Sequence, residues 1–178
     1  MKIGFVVPVI KEFDMDYPVI VKPAACGSSI GINIANNLEE LNKFVQEAFA
    51  CDNKVVIEKF IKCRELECAV LEKDNKYIIS PVGEINAKNE FYDYESKYVL
   101  DSKITIPAKL DETIVKEIQT YSEKIFKILS LKDLTRIDFL YDCENKKLYF
   151  NEVNTLPGFT TISMYPMLIN ETGINVKE

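Results

Sequence analysis

The sequence predicts an α+β fold. Three observations carry that expectation: two long stretches with helical spacing, strand-like runs grouped between them, and a hairpin-like pair of alternating segments toward the C-terminus. At 178 residues the chain has room for one sizeable core or two small lobes, and 47% hydrophobic with 28% charged residues is ordinary for a soluble globular protein.

Residues 3–9 form a short apolar strand-like run, and 18–22 form a second that ends at Pro23. Ala24-Ala25-Cys26-Gly27-Ser28-Ser29-Ile30-Gly31 follows as a flexible loop whose tip carries N–H and hydroxyl donors. Residues 38–49 have helical spacing through Leu38, Leu41, Phe44, Val45 and Ala48, with Asn36 or Asn37 as N-cap. Strand-like segments come next at 54–60, 66–72 and 77–82. Residues 86–102 are aromatic and polar without a period and read as a long functional loop. A strong stripe (Ile114, Val115, Ile118, Tyr121, Ser122, Ile125, Phe126, Leu129) predicts a helix over 111–129, and a short helix is expected at about 162–169.

Between these helices lie Arg136-Ile137-Asp138 and Asn151-Glu152-Val153-Asn154-Thr155-Leu156-Pro157-Gly158-Phe159-Thr160, both alternating at the strand period. Arg136 and Asp138 share one face, Glu152 and Asn154 share one face, and a turn at Asp142-Cys143-Glu144-Asn145 folds Asp138 near Glu152. Carboxylates opposed across strands repel, and a divalent cation removes that cost. Two carboxylates and an amide suit Mg²⁺ or Mn²⁺ rather than zinc, and such ions complete their shells with phosphate oxygens and water. The plainer alternative is a solvated strand face.

The glycine loop fits neither the P-loop nor the dinucleotide fingerprint, and alone it is no more than a turn. Lys22, at the end of the apolar run Val19-Ile20-Val21, either needs an anion to stay charged when buried or snorkels to solvent. The absence of histidine excludes His-based triads and the commonest zinc sites. Five cysteines without a C-x-x-C pair fit a reducing cytosol, and a net charge of -6 with no basic run argues against nucleic acid and membrane surfaces as partners. With no spanning apolar stretch and no signal-peptide pattern, a cytoplasmic protein is expected.

Taken in order, Tyr17-Pro18-Val19-Ile20-Val21-Lys22-Pro23 with Gly27-Ser28-Ser29-Ile30-Gly31, Glu58-Lys59-Phe60-Ile61, Phe91-Tyr92-Asp93-Tyr94-Glu95-Ser96-Lys97-Tyr98, Arg136-Ile137-Asp138 and Asn151 to Gly158 resemble the D-alanine–D-alanine ligases of the ATP-grasp superfamily. The resemblance implies two α+β subdomains with nucleotide bound between them. It divides the chain into a residual N-terminal strand and lead-in (1–16), a small subdomain with the glycine loop (17–85), a substrate-covering loop (86–105) and a C-terminal subdomain with the metal site (106–178). It also implies that the family's N-terminal domain, which holds the first D-alanine, is missing, as though by internal deletion.

Residue by residue, the resemblance implies that Lys22 contacts ATP phosphates and that Ser28 and Ser29 close over phosphate and substrate. Glu58, Lys59, Phe60 and Ile61 form the adenine hinge, Glu65 meets the ribose, and Phe150 and Asn151 adjoin the nucleotide. Asp138, Glu152 and Asn154 hold two Mg²⁺ or Mn²⁺ ions. Arg136 stabilises the reacting groups, Gly158 offers an oxyanion N–H, Lys97 and Tyr98 sit in a lid, and Ser163 and Met164 contact the second substrate. The implied activity is ATP-dependent ligation of two D-alanines for peptidoglycan precursors through an acyl phosphate. A silent Mg-ATP-binding remnant and a D-alanine–D-serine ligase are the alternatives. The implied partners are small molecules, ATP and D-alanine, and the resemblance leaves room for a homodimer.

Overall fold

Val19 and Val21 alternate with Ile20 and Lys22, so one face of strand β1 (Val19–Pro23) is apolar and becomes fully buried. In the computed structural model, which describes residues 9–26, 30–86 and 103–175, β1 is the centre of an antiparallel sheet ordered β2-β1-β3, with β2 at Asn33–Ala35 and β3 at Val55–Lys59. Helix α1 (Leu38–Cys51) covers the apolar face through Leu41, Val45 and Ala48, and burying a Leu or Val here contributes ~1.5–3 kcal/mol. Of the two N-cap candidates Asn37 does the capping, its Oδ1 accepting the Glu40 N–H at 2.9 Å, while Glu40 Oε2 reaches back to accept the Asn36 N–H at 2.8 Å. Asn42 ties the preceding segment down by exchanging bonds with the backbone of Ile10.

The second unit is a five-stranded antiparallel sheet ordered β6-β5-β4-β7-β8. Its strands are β4 (Arg64–Lys73), β5 (Lys76–Asn86), β6 (Lys103–Thr105), β7 (Leu134–Asp142) and β8 (Lys147–Asn154). Asp74 and Asn75 adopt positive φ in the two-residue β4–β5 turn, as hairpin twist requires. Asp142 opens the β7–β8 turn by accepting the N–H groups of Glu144 and Asn145. Helix α2 (Glu112–Ile128) lays Ile118 and Phe126 against Leu66, Cys68, Val70, Ile137 and Phe139. Helix α3 (Met164–Asn170) packs Met164, Tyr165, Leu168 and Ile169 against Ala69 on the other face. Gly83 is what lets α3 approach, since a Cβ there would lie 2.8 Å from Met164 Sδ and 3.1 Å from Leu168 Cδ2.

The strands and helices expected at 54–60, 66–72, 77–82, 111–129 and 162–169 form with shifted ends, whereas β2 and β6, three residues each, are too short to show a period. Most of the run at 3–9, the loop tip at Gly27, Ser28 and Ser29, and the segment 87–102 with Lys97 and Tyr98 lie outside the described residues. The expected boundary after residue 85 moves to Ile61/Lys62. The reason is pairing: β4 ladders to both β5 and β7, so 62–86 belong to the larger sheet. Among the described residues no helix is long and apolar enough to cross a membrane.

Candidate functional site

In the second unit, backbone register brings the functional side chains together. Asp138 of β7 stands opposite Glu152 of β8, Arg136 stands opposite Asn154, and all four lie on the α3 face because Ile137 and Phe139 point to α2. Arg136 donates from Nε to Asp138 Oδ1 and from Nη2 to Oδ2, both at 2.7 Å. Asn154 Nδ2 donates to Asp138 Oδ2 at 3.1 Å and reaches Glu152 Oε1 at 3.4 Å, while the Thr135 hydroxyl fixes the Asn154 carbonyl at 2.9 Å. Asp138 is only 8% exposed.

Electrostatics sharpen the picture. Burial, followed by the charge of Glu152, pushes the Asp138 carboxyl above the usual aspartate range against the pull of Arg136. Burial acts to lower the Arg136 pKa, but the bonds to Asp138 and the charges of Glu67 and Glu152 outweigh it and hold the guanidinium firmly protonated. The site therefore gathers positively polarised donors around a buried carboxylate that faces a second one. A divalent cation fits such a set: two carboxylates plus the amide oxygen that appears when Asn154 turns its side chain over. Among the described residues no three His, Cys, Asp or Glu side chains are placed to hold one metal ion, so an ion here would take Asn154 and non-protein oxygens as its further ligands.

One strand presents apolar and charged side chains to opposite sides of the sheet because of a bulge. β8 uses one residue more than β7 between the pairs Asp138–Glu152 and Phe139–Phe150, and the extra residue is Asn151. The bulge reverses the alternation and decides which side of the sheet Phe150 takes. Its ring meets Phe139 edge-on at 6.4 Å on the α2 side, away from the carboxylates. The Met164 side chain is buried under Gly83 as part of the core, which leaves its backbone for any contact with a substrate. Ser163 beside it is half-buried, accepts the Thr160 N–H at 3.0 Å, and leaves no room for a Cβ on Gly158, 2.8 Å away.

Sequence reasoning missed Glu67. It is 5% exposed, pairs in register with Asp138, and places Oε2 2.9 Å from Arg136 Nε. The available signal was Glu65-Leu66-Glu67-Cys68-Ala69-Val70, a second acid continuing into an apolar run. Glu65 lies on the same β4 face, two residues away, half-buried.

In the first unit, Lys22 and Glu58 share the β-sheet face opposite α1 and pair at 2.6 Å with side chains 28% and 47% exposed. Lys22 is half-buried, and Glu58 supplies its anion in this structure. Lys59 ends β3, and the Phe60 N–H is committed to the Pro18 carbonyl at 3.1 Å. Ile61 is half-buried.

A family model described as "D-ala D-ala ligase C-terminus" matches residues 8–178. The D-alanine–D-alanine ligase of Acetivibrio thermocellus is 50% identical over 168 residues, covering 94% of this chain and 44% of that protein. D-alanine–D-alanine ligase B of Clostridium tetani is 49% identical over 167 residues, 93% of this chain and 46% of that protein. Among solved structures, the VanG D-Ala:D-Ser ligase of Enterococcus faecalis is similar with a TM-score of 0.80 and 38% identity, over 91% of this chain and 47% of that one. D-alanyl-alanine synthetase A of Vibrio cholerae has a TM-score of 0.79 and 36% identity, over 89% and 48%. The chain spans less than half the length of these relatives.

Proposed function

The chain belongs to the D-alanine–D-alanine ligase C-terminal family, with its ATP-grasp α+β fold, and from that premise we propose that it carries the phosphoryl- and acyl-transfer residues of an ATP-dependent D-alanine ligase serving peptidoglycan precursor synthesis. In the proposed reaction the carboxylate of one D-alanine attacks the γ-phosphorus of ATP and ADP leaves. The amine of a second D-alanine then attacks the acyl phosphate carbon, releasing phosphate and, to solvent, a proton. Such transfers need positioning and charge neutralisation more than covalent help, so a site without histidine suffices.

Asp138, Glu152 and Asn154 would hold Mg²⁺ or Mn²⁺, which when bound supplies neutralising charge to phosphate oxygens. Arg136 binds the transferring phosphoryl group from the same face. Lys22 reaches a phosphate by releasing Glu58, and Glu58 to Ile61 with Glu65 hold adenosine. The Gly158 N–H faces the developing oxyanion and Ser163 orients the second substrate's carboxylate, while the roles of Ser28, Ser29, Lys97 and Tyr98 are those that the resemblance implies.

The observation that carries this reading is the opposition of buried Asp138 to Glu152, with the Arg136 guanidinium and the Asn154 amide donating to Asp138. Calorimetric titration of the 178-residue chain with a non-hydrolysable ATP analogue is expected to show binding that requires Mn²⁺ or Mg²⁺ and that Glu152→Gln abolishes. Absence of nucleotide binding at millimolar concentration would sink the reading. Incubation with ATP, Mg²⁺ and D-alanine, with D-serine in a parallel arm, is expected to release ADP and D-alanyl–D-alanine. Metal-dependent binding without ADP release would favour a silent nucleotide-binding unit instead.

A further inference from the structure

Glu67, Asp138 and Glu152 form one row across β4, β7 and β8, with Arg136 as the guanidinium that touches the first two. Both oxygens of Asp138 are already occupied by Arg136, and Oδ2 also accepts from Asn154. A cation that engages Asp138 and Glu152 competes with these donors for Asp138, and the guanidinium, itself only 20% exposed, is best kept in place by another anion within reach. Glu67 Oε2, 2.9 Å from Arg136 Nε, is in place for that. It stands on the far side of Asp138 from Glu152 in the row, so it is a neighbour of the ligand set rather than a member of it.

We infer that Glu67 is a positioning residue: it retains Arg136 when a divalent cation takes over Asp138, keeping the guanidinium on the metal face. The inference rests on the cation reading of Asp138, Glu152 and Asn154. Its thermodynamic consequence is that Glu67 favours cation binding by giving the displaced arginine a partner.

The test is Mn²⁺ binding by the full chain, read by electron paramagnetic resonance of free Mn²⁺ with a non-hydrolysable ATP analogue present, alongside thermal unfolding without metal. Glu67→Gln is expected to weaken Mn²⁺ about tenfold, the scale of lost outer-shell partners. Glu67→Asp, which keeps the charge but withdraws the carboxylate by one methylene, is expected to weaken it comparably and keeps the inference falsifiable should Glu67→Gln fail to fold. Wild-type affinity in Glu67→Asp with a loss in Glu67→Gln would mean that Glu67 acts by charge alone and overturns the inference. Unchanged affinity in both, with lowered melting only, assigns Glu67 a structural role and overturns it too. If the wild-type binds no Mn²⁺, or Glu152→Gln binds it equally well, the cation reading itself has failed.

Discussion

Two cation–carboxylate contacts, one in each unit, look alike by distance and differ in everything else. Lys22–Glu58 closes at 2.6 Å on a sheet face that α1 leaves uncovered, one ammonium to one carboxylate, both in reach of water. Arg136–Asp138 closes at 2.7 Å under α3's face of the larger sheet, where one guanidinium touches two carboxylates and feels the charge of a third in the same row. The first can open at little cost, whereas the second can only be exchanged for another charge arrangement. A short ion pair therefore says little until its surroundings are counted.

Substitutions that remove one partner sharpen the contrast. Arg136→Met is expected to destabilise the metal-free chain by ~3–5 kcal/mol, because buried carboxylates lose their counter-charge, and Mg²⁺ should restore part of the loss. Urea denaturation with and without Mg²⁺ reads both numbers, and equal loss in the two conditions would detach Arg136 from the cation face. Gly83→Ala tests the support beneath that face. Crowding Met164 and Leu168 is expected to cost ~1–3 kcal/mol by thermal unfolding. Lys22→Met is expected to cost no more than ~1 kcal/mol, and nothing in 1 M salt, as for any exposed pair. A loss as large as that of Arg136→Met would break the comparison.

The smallest effect is a gain. Glu152→Gln relieves one carboxylate opposite another and should raise metal-free stability by a few tenths, roughly 0.2–1 kcal/mol, while removing stabilisation by metal and nucleotide together. Differential scanning calorimetry with and without both ligands separates the two effects. A stability gain from losing a functional carboxylate is the expected sign where repulsion has been retained for binding.

Much of this was legible from alternation alone. Arg136, Asp138, Glu152 and Asn154 lie where period-two reading placed them, since a ladder fixes which residues face each other. The stripe through Ile118 and Phe126 likewise gave α2 its buried face. Phe150 was not legible, because a bulge leaves no mark in the hydrophobic pattern and yet reverses every side chain beyond it. Glu67 escaped because burial of a lone acid depends on its cross-strand neighbour, and the β4–β7 register joins residues far apart in sequence. The unit boundary was misplaced for the same reason, since contiguity in sequence hid the pairing of 62–86 with β7. Burial of the Met164 side chain was not legible either, since it depends on the packing of α3 on Gly83, a residue of a distant strand.

The extra residue at Asn151 makes β8 a counting device. Upstream of it the strand turns Leu148 and Phe150 toward the α2 side, and downstream it turns Glu152 and Asn154 toward the opposite side. For a gene encoding this hairpin, a codon lost or gained between 150 and 152 is a different kind of event from any missense change. It would exchange the oily and the charged sides of half a strand while altering no retained amino acid's identity. The length of this short stretch is therefore as much a part of the site's specification as the acids themselves.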